Sequence, residues 1–186
     1  MDIVAVVMAS GFSKRMGTNK LLLKHNGKEI FKYIIDKINK VDFYKKVIIT
    51  NNKEIIDYSL KNDFVVIKNP NADLGQSQSV ILGTSYCIKK AHMFFVADMP
   101  FLKVETIKKL KENFDGKKIL APKVCGLKKN PVIFPAHFNE KLKGIKNDAG
   151  GMSIAKKDDI KFVNFSDSLE FLDIDTRENY ERYCDF

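Results

Sequence analysis

The sequence predicts an α/β protein: a Rossmann-like, three-layer α/β/α arrangement with helices on both faces of a mostly parallel sheet. Three observations carry this reading. Short runs rich in Val, Ile and Phe alternate with stretches whose apolar residues recur at helical spacing, and a strand–helix–strand order makes a parallel sheet. The strand-like runs are largely apolar, as expected of strands covered on both faces. Polar segments follow the strands, at the sheet edge where open α/β sheets bind ligands.

Ile3–Met8 is the first strand. Strands are then expected at 47–50, 64–68 and 93–97, separated by helices at 31–39, 53–60 and 77–89. A helix at 104–114 follows the fourth strand. Shorter strands are expected at 119–121, 124–127 and Val132–Phe134, with a short helix near 152–157 and a last helix at Arg177–Tyr183. No linker, repeat or low-complexity segment interrupts the chain, so residues 1–186 read as one domain.

Composition narrows the function classes. A hydrophobic fraction of 45% suffices for one core. The net charge of +9 comes almost entirely from lysines scattered in pairs on amphipathic stretches. Such pairs read as solvated faces, and no nucleic-acid motif accompanies them. Cys87, Cys125 and Cys184 are an odd set without C-x-x-C spacing, which points to reduced thiols and a cytoplasmic setting. Cys87 sits in a helical apolar stripe and reads as core. The N-terminal apolar run is too short to span a bilayer and lacks the cations of a signal peptide, so no membrane partner is expected. His25, His92 and His137 show no metal-ligand spacing.

Three segments leave strand ends: "ASGFSKRMGTNK", "NPNADLGQSQS" and "DMP". In the first, Gly11 and Gly17 let backbone amides turn toward an anion, Arg15 and Lys20 add charge, and Ser13 adds a hydroxyl. The spacing is neither a Walker A loop nor G-x-G-x-x-G. From the residues alone, this is either a polyphosphate loop or a basic surface loop. Asp98, closing the run "MFFVA", is a natural oxygen ligand for Mg²⁺ at the end of a strand. Its alternative role is to cap the following helix.

The stretch "MASGFSKRMGTNKLLL" resembles the signature [LM]-A-[AG]-G-x-S-x-R-M-G-x-x-K of the molybdenum cofactor nucleotidyltransferases, within the wider MobA-like NTP transferases. The resemblance continues through "GKEI", "NPNADLGQSQSVILG", "VADMPFL", "NPVIF", "NDAGG" and "LDIDTRENYER". It implies the nucleotidyltransferase form of the three-layer fold. A nucleotide-binding half would cover about residues 1–100 and an acceptor-binding half about 101–186.

The resemblance also implies roles. Met8, Ala9, Ser10, Gly11, Ser13, Arg15, Gly17 and Lys20, with Asn69, Gly75, Ser77 and Ser79, would bind the nucleotide. Lys20, Arg15 and Asp98 would be catalytic, and Asp98 with Asp175 would hold Mg²⁺, or Mn²⁺ in its place. Asp175 or Thr176 alternatively caps the last helix. Asp148 would hold the acceptor or its loop, or else form a plain turn. Ser10-Gly11, "KLLL" and "GQSQSV" resemble the cytidylyl branch, with Ser79 reading the base. The implied reaction is transfer of CMP from CTP to the terminal phosphate of the molybdopterin cofactor, releasing pyrophosphate, with a molybdenum hydroxylase as client. Guanylyl transfer, cytidylyl transfer to another phosphate such as methylerythritol phosphate, and a non-catalytic nucleotide-binding accessory protein are the alternatives. Ser10, Asn147 and Arg177 depart from the family pattern.

Overall fold

In the computed structural model, which describes residues 1–11, 18–146 and 148–184, the chain opens with β1 (Ile3–Met8). A small hairpin follows, β2 (Lys24–His25) and β3 (Lys28–Glu29). Then come α1 (Ile30–Ile38), β4 (Lys45–Ile49), α2 (Lys53–Lys61) and β5 (Val65–Ile67). α3 (Gln76–Tyr86), β6 (Ala91–Val96) and α4 (Val104–Asn113) complete the first half. The remainder forms β7 (Ile119–Val124), β8 (Leu127–Lys128), β9 (Val132–Phe134), α5 (Asn139–Lys143), β10 (Ile160–Phe165) and α6 (Arg177–Tyr183).

β1 lies inside an eight-stranded sheet of order β10-β7-β9-β6-β1-β4-β5, with β8 beside β7. It pairs in parallel with β4 and β6, so Val6 lies between Val47 and Phe94. β9 runs antiparallel to both β6 and β7, and β10 is again parallel to β7. The sheet is therefore mixed but mostly parallel.

β1 explains the layers. Successive side chains on a strand point to opposite faces. Ile3, Ala5 and Val7 pack with the apolar stripes of α1 and α4, Phe31, Ile34, Ile107 and Leu110 among them. Val4 and Val6 face the other way, toward Val80 of α3 and Leu142 of α5. Gly83 lets α3 press onto this face, because a Cβ there would overlap Val6. That close approach brings Ser79, one turn earlier on the helix, up to Ser10, two residues past β1.

After β1 the chain builds β4 and β5 on one side, and α3 then carries it across to β6 on the other. The strand order reverses at β1 and β6, and their carboxyl ends open a crevice there. Among the described residues, no helix is long and apolar enough to cross a membrane.

Several elements differ from expectation. The strand expected at 124–127 is broken, because Cys125 and Gly126 both take positive φ, 48° and 81°. They form the tight turn of a β7–β8 hairpin. The helix expected near 152–157 is a 3-10 turn at Gly151–Ile154. β10, α5 and the β2–β3 hairpin were not anticipated. β10 is an outer strand with only Val163 fully turned into the core, so its sequence lacks the apolar run that marks β1.

Candidate active site

Ser10 follows directly where β1 gives out, its neighbour Ala9 still donating to the Ile49 carbonyl at 2.9 Å. Ser13, Arg15 and Gly17 lie outside the described residues. Beyond them, Asn19 caps a 3-10 turn over Lys20–Leu22, its side chain accepting from the Leu21 amide at 3.2 Å. Leu21 is buried in the core. Anchored by that residue, Lys20 extends its ammonium into the cleft.

There the Lys20 ammonium donates to the carboxylates of both Asp98 and Asp175, the latter at 2.5 Å. Asp98 follows β6 and its carboxylate is only 13% exposed, whereas Asp175 is 45% exposed. The two acids come together because the Ile174 amide donates to the Asp98 carbonyl at 3.0 Å. Burial pushes Asp98 up from its ordinary value, with the Lys20 ammonium opposing that rise. For Lys20, burial disfavours the charge, but Asp98 and Asp175 together outweigh it and hold the group above its ordinary range.

Thr176 caps α6 by accepting from the Asn179 amide at 3.1 Å. Lys103, the residue before α4, gives no side-chain cap, and its own amide donates to the buried Glu170 at 3.0 Å. Neither Asp175 nor Asp98 serves as the cap.

A carboxylate that sequence reasoning missed lies nearby. Asp173 sits two residues before Asp175, across a tight turn in which the Asp175 amide donates to the Asp173 carbonyl at 3.1 Å, and its Oδ1 is buried without a partner among the described residues. Burial, then the charges of Asp98 and Asp175, push its pKa up to about 7. The D-x-D spacing in "LDID" was the available signal, since it sets a second carboxylate two residues from Asp175, although the turn between them sends the two into adjoining clefts.

Asp98 Oδ1 is likewise buried, with no hydrogen-bond partner among the described residues. Among the described residues no group of three His, Cys, Asp or Glu side chains is arranged to hold a metal. Mg²⁺ needs no such group, taking one or two carboxylates and completing its shell with phosphates and water. Asp98 and Asp175, facing each other across Lys20, fit that requirement.

The other wall is polar and neutral. Ser10 Oγ and Ser79 Oγ lie 2.8 Å apart, and the Asn69 side-chain amide donates to them at 3.0 and 3.4 Å. Asn51 grips the Asn69 backbone on both sides, at 2.9 and 2.7 Å. Asn69 is thus a brace behind the wall, 1% exposed, and does not line the cleft as expected. Ser77 is also displaced from its expected role: it is fully buried, away from the lining. Gln76 and Ser79, three residues apart, share the cleft-facing side of α3, and Ser77 is rotated off that face.

Met8, Ala9, Ser10, Gly11, Lys20 and Ser79 all line one cleft of about 470 Å³, and Gly75, Asp98, Asp148 and Asp175 border it too. A second cleft of about 310 Å³ adjoins it across Met8 and Gln76. Lys128, Lys129, Phe134, Met152 and Asp173 lie on its walls. Asp148 does not reach the second cleft; it rests against the start of α3.

A mostly parallel sheet with a cleft at its switch point is here the α/β nucleotidyltransferase fold. A nucleotidyl transferase from Methanothermobacter superposes with a TM-score of 0.83 at 22% identity, covering 99% of this chain and 96% of that one. The chain belongs to the MobA-like NTP transferase family, whose domain model matches residues 5–161. A relative from Natranaerobius thermophilus, named a probable molybdenum cofactor guanylyltransferase, is 33% identical over 132 residues. That match covers 67% of this chain and 62% of the relative's length. Rv0371c from Mycobacterium tuberculosis, solved in complex with manganese, has the same fold, with a TM-score of 0.78 and 16% identity. It covers 100% of this chain and 99% of that one.

Proposed function

We propose that the chain is a molybdenum cofactor guanylyltransferase, moving GMP from GTP to the terminal phosphate of molybdopterin and releasing pyrophosphate. One observation carries the reading: Lys20 is held by Asp98 and Asp175 on the floor of a nucleotide-sized cleft at the switch point. The adjoining second cleft, with Lys128 and Lys129 on its wall, suits an anionic acceptor supplied by the second half of the chain.

The acceptor phosphate is already ionised at neutral pH, so the reaction needs no strong general base. Its oxygen attacks the α-phosphorus, a new phosphorus–oxygen bond forms, and the bond to the β-phosphate breaks as pyrophosphate leaves. Catalysis is then positioning and charge neutralisation. Lys20 sits against the α-phosphate, where negative charge builds, and Arg15 with amides of the same loop would hold the leaving phosphates. Bound Mg²⁺, with Mn²⁺ as a substitute, would be held by Asp98 and Asp175 and would neutralise phosphate charge.

The choice of GTP replaces the CTP suggested by the loop sequence. That suggestion rested on the likeness of Ser10-Gly11, "KLLL" and "GQSQSV" to the cytidylyl branch. The relative named as a guanylyltransferase supports GTP.

Pyrophosphate release tests both levels of the proposal. GTP and CTP are each supplied with and without isolated molybdopterin. Acceptor-dependent release from GTP is expected. Release from CTP in preference would return the cytidylyl assignment, and release from neither would remove nucleotidyl transfer to this acceptor.

A further inference from the structure

α3 begins without a cap of its own. The residue before it, Gly75, has no side chain with which to accept from the first amides of the helix. Asp148, 72 residues later, fills the gap: its Oδ1 accepts from the Gln76 amide at 2.7 Å. The arrangement depends on Gly75, which takes a φ of +93° and where a Cβ would overlap the Asp148 carboxylate. A negative group at a helix start is favoured twice over, by the hydrogen bond and by the helix dipole.

Gln76 is gripped from its other end as well. Its side-chain amide lies 3.9 Å from the Met8 sulfur at the end of β1. A Cβ on Gly150 would come within 2.9 Å of its Oε1, so the chain after Asp148 follows this side chain closely. Gln76 and Met8 form the ridge between the two clefts. One turn further along α3, Ser79 meets Ser10 and Asn69. The loop around Asp148 therefore bears on the base end of the nucleotide cleft through the first turn of α3.

We infer that Asp148 is a positioning residue for the nucleotide and not a ligand of the acceptor. It caps α3 from across the chain, fixes the depth of Ser79, and ties the loop beside the second cleft to the wall of the first. The inference rests on the nucleotidyltransfer reading for the identity of the ligand, but the cap itself does not.

The experiment uses the full chain with Asp148→Ala, Asp148→Asn and Gly75→Ala. GTP binding with Mg²⁺ is measured by calorimetry, and amide exchange is followed over residues 76–80. Asparagine also caps helices, so Asp148→Asn should stay within about twofold of the unmodified chain in both readouts. Asp148→Ala and Gly75→Ala should weaken GTP binding about fivefold and speed exchange at the first turn of α3. In turnover, Asp148→Ala should raise the KM for GTP and leave that for the acceptor unchanged. Unchanged GTP binding in Asp148→Ala, or a rise confined to the acceptor KM, overturns the inference. Unaltered exchange in both alanine variants overturns the cap, even in a chain that binds no nucleotide. Failure of the unmodified chain to bind GTP or CTP overturns the nucleotidyltransfer reading and the ligand assignment with it.

Discussion

Lys20 and Asp175 stand 155 residues apart in the chain, yet the ammonium and carboxylate meet at 2.5 Å. Each is placed by an apolar neighbour. Leu21 is buried beside Lys20, Ile174 is fully buried beside Asp175, and Ala97 is buried beside Asp98. The three charged groups are thus delivered to one point by residues whose position is set by core packing. Displacing any anchor would misplace a charge, and preorganised charge is what phosphoryl-type transfer requires.

Lys20→Ala should therefore lower kcat far more than it weakens nucleotide binding. Charge on the α-phosphate increases toward the transition state, so its partner is felt most there. By analogy with a lost oxyanion donor, the expected fall in kcat is about 10²–10³. Steady-state kinetics with GTP and acceptor check this. A variant with normal kcat and only a raised KM would reduce Lys20 to uniform binding.

Asp98→Asn should remove most of the divalent-metal dependence of activity while leaving the fold in place. The amide oxygen still accepts from Lys20, but the charge that a hard cation needs is gone. Asp175→Asn should cost less, because that carboxylate is nearly half exposed and better screened. Titration of activity against Mg²⁺ for both variants gives the order. A larger loss at Asp175 would reverse the assignment.

The parts legible in the sequence were those that repeat a local rule. β1, β6, α1 and α3 announce themselves by apolar runs or helical periodicity, and Lys20 and Asp98 by following strand ends. Asp173 was not legible as a separate group, because its raised pKa comes from burial and from charges brought in by distant segments. Asn69 and Ser77 were placed in the right segment but on the wrong side of its wall. Only the pitch of α3, set by Gly83 against Val6, fixes which serine looks into the cleft. The contact of Asp148 with the Gln76 amide was not legible, because a backbone amide carries no side-chain signature.

His92 gives a test of the core that is independent of catalysis. It is fully buried on β6, its Nδ1 lies 3.3 Å from Asn139 Oδ1, and its Nε2 has no partner among the described residues. Burial lowers its pKa to about 4, against the Asn139 hydrogen bond, which acts to raise it. The unfolded chain thus takes up this proton near pH 6.5, well before the folded one does. Stability contributed by neutral His92 is full above pH 6.5 and falls as pH drops toward 4, by about 3 kcal/mol in all. His92→Gln, which retains a donor for Asn139, should flatten the pH dependence of denaturant unfolding across that window. An equal slope in both proteins would mean that other groups account for the acid sensitivity.

The base preference tests the hydroxyl pair. The Asn69 side-chain amide donates to both Ser10 and Ser79, and one serine donates to the other, so one hydroxyl proton is left to serve the cleft. With Ser10 donating to Ser79, that proton is the one on Ser79, which is only 3% exposed at the bottom of the wall. A guanine carbonyl on a two-ring base reaches deeper than the carbonyl of a one-ring cytosine. A shallow base would leave the buried hydroxyl unpaired, and a site built to hydrogen-bond its substrate rejects partners that leave it so. The unmodified chain should accordingly favour GTP over CTP in kcat/KM. Ser79→Ala should cost about tenfold with GTP, the worth of one hydrogen bond, and much less with CTP. Competition between the two nucleotides, read as pyrophosphate released with Lys20 and Asp98 intact, measures both ratios. Equal losses with the two nucleotides would show that Ser79 supports the wall without reading the base.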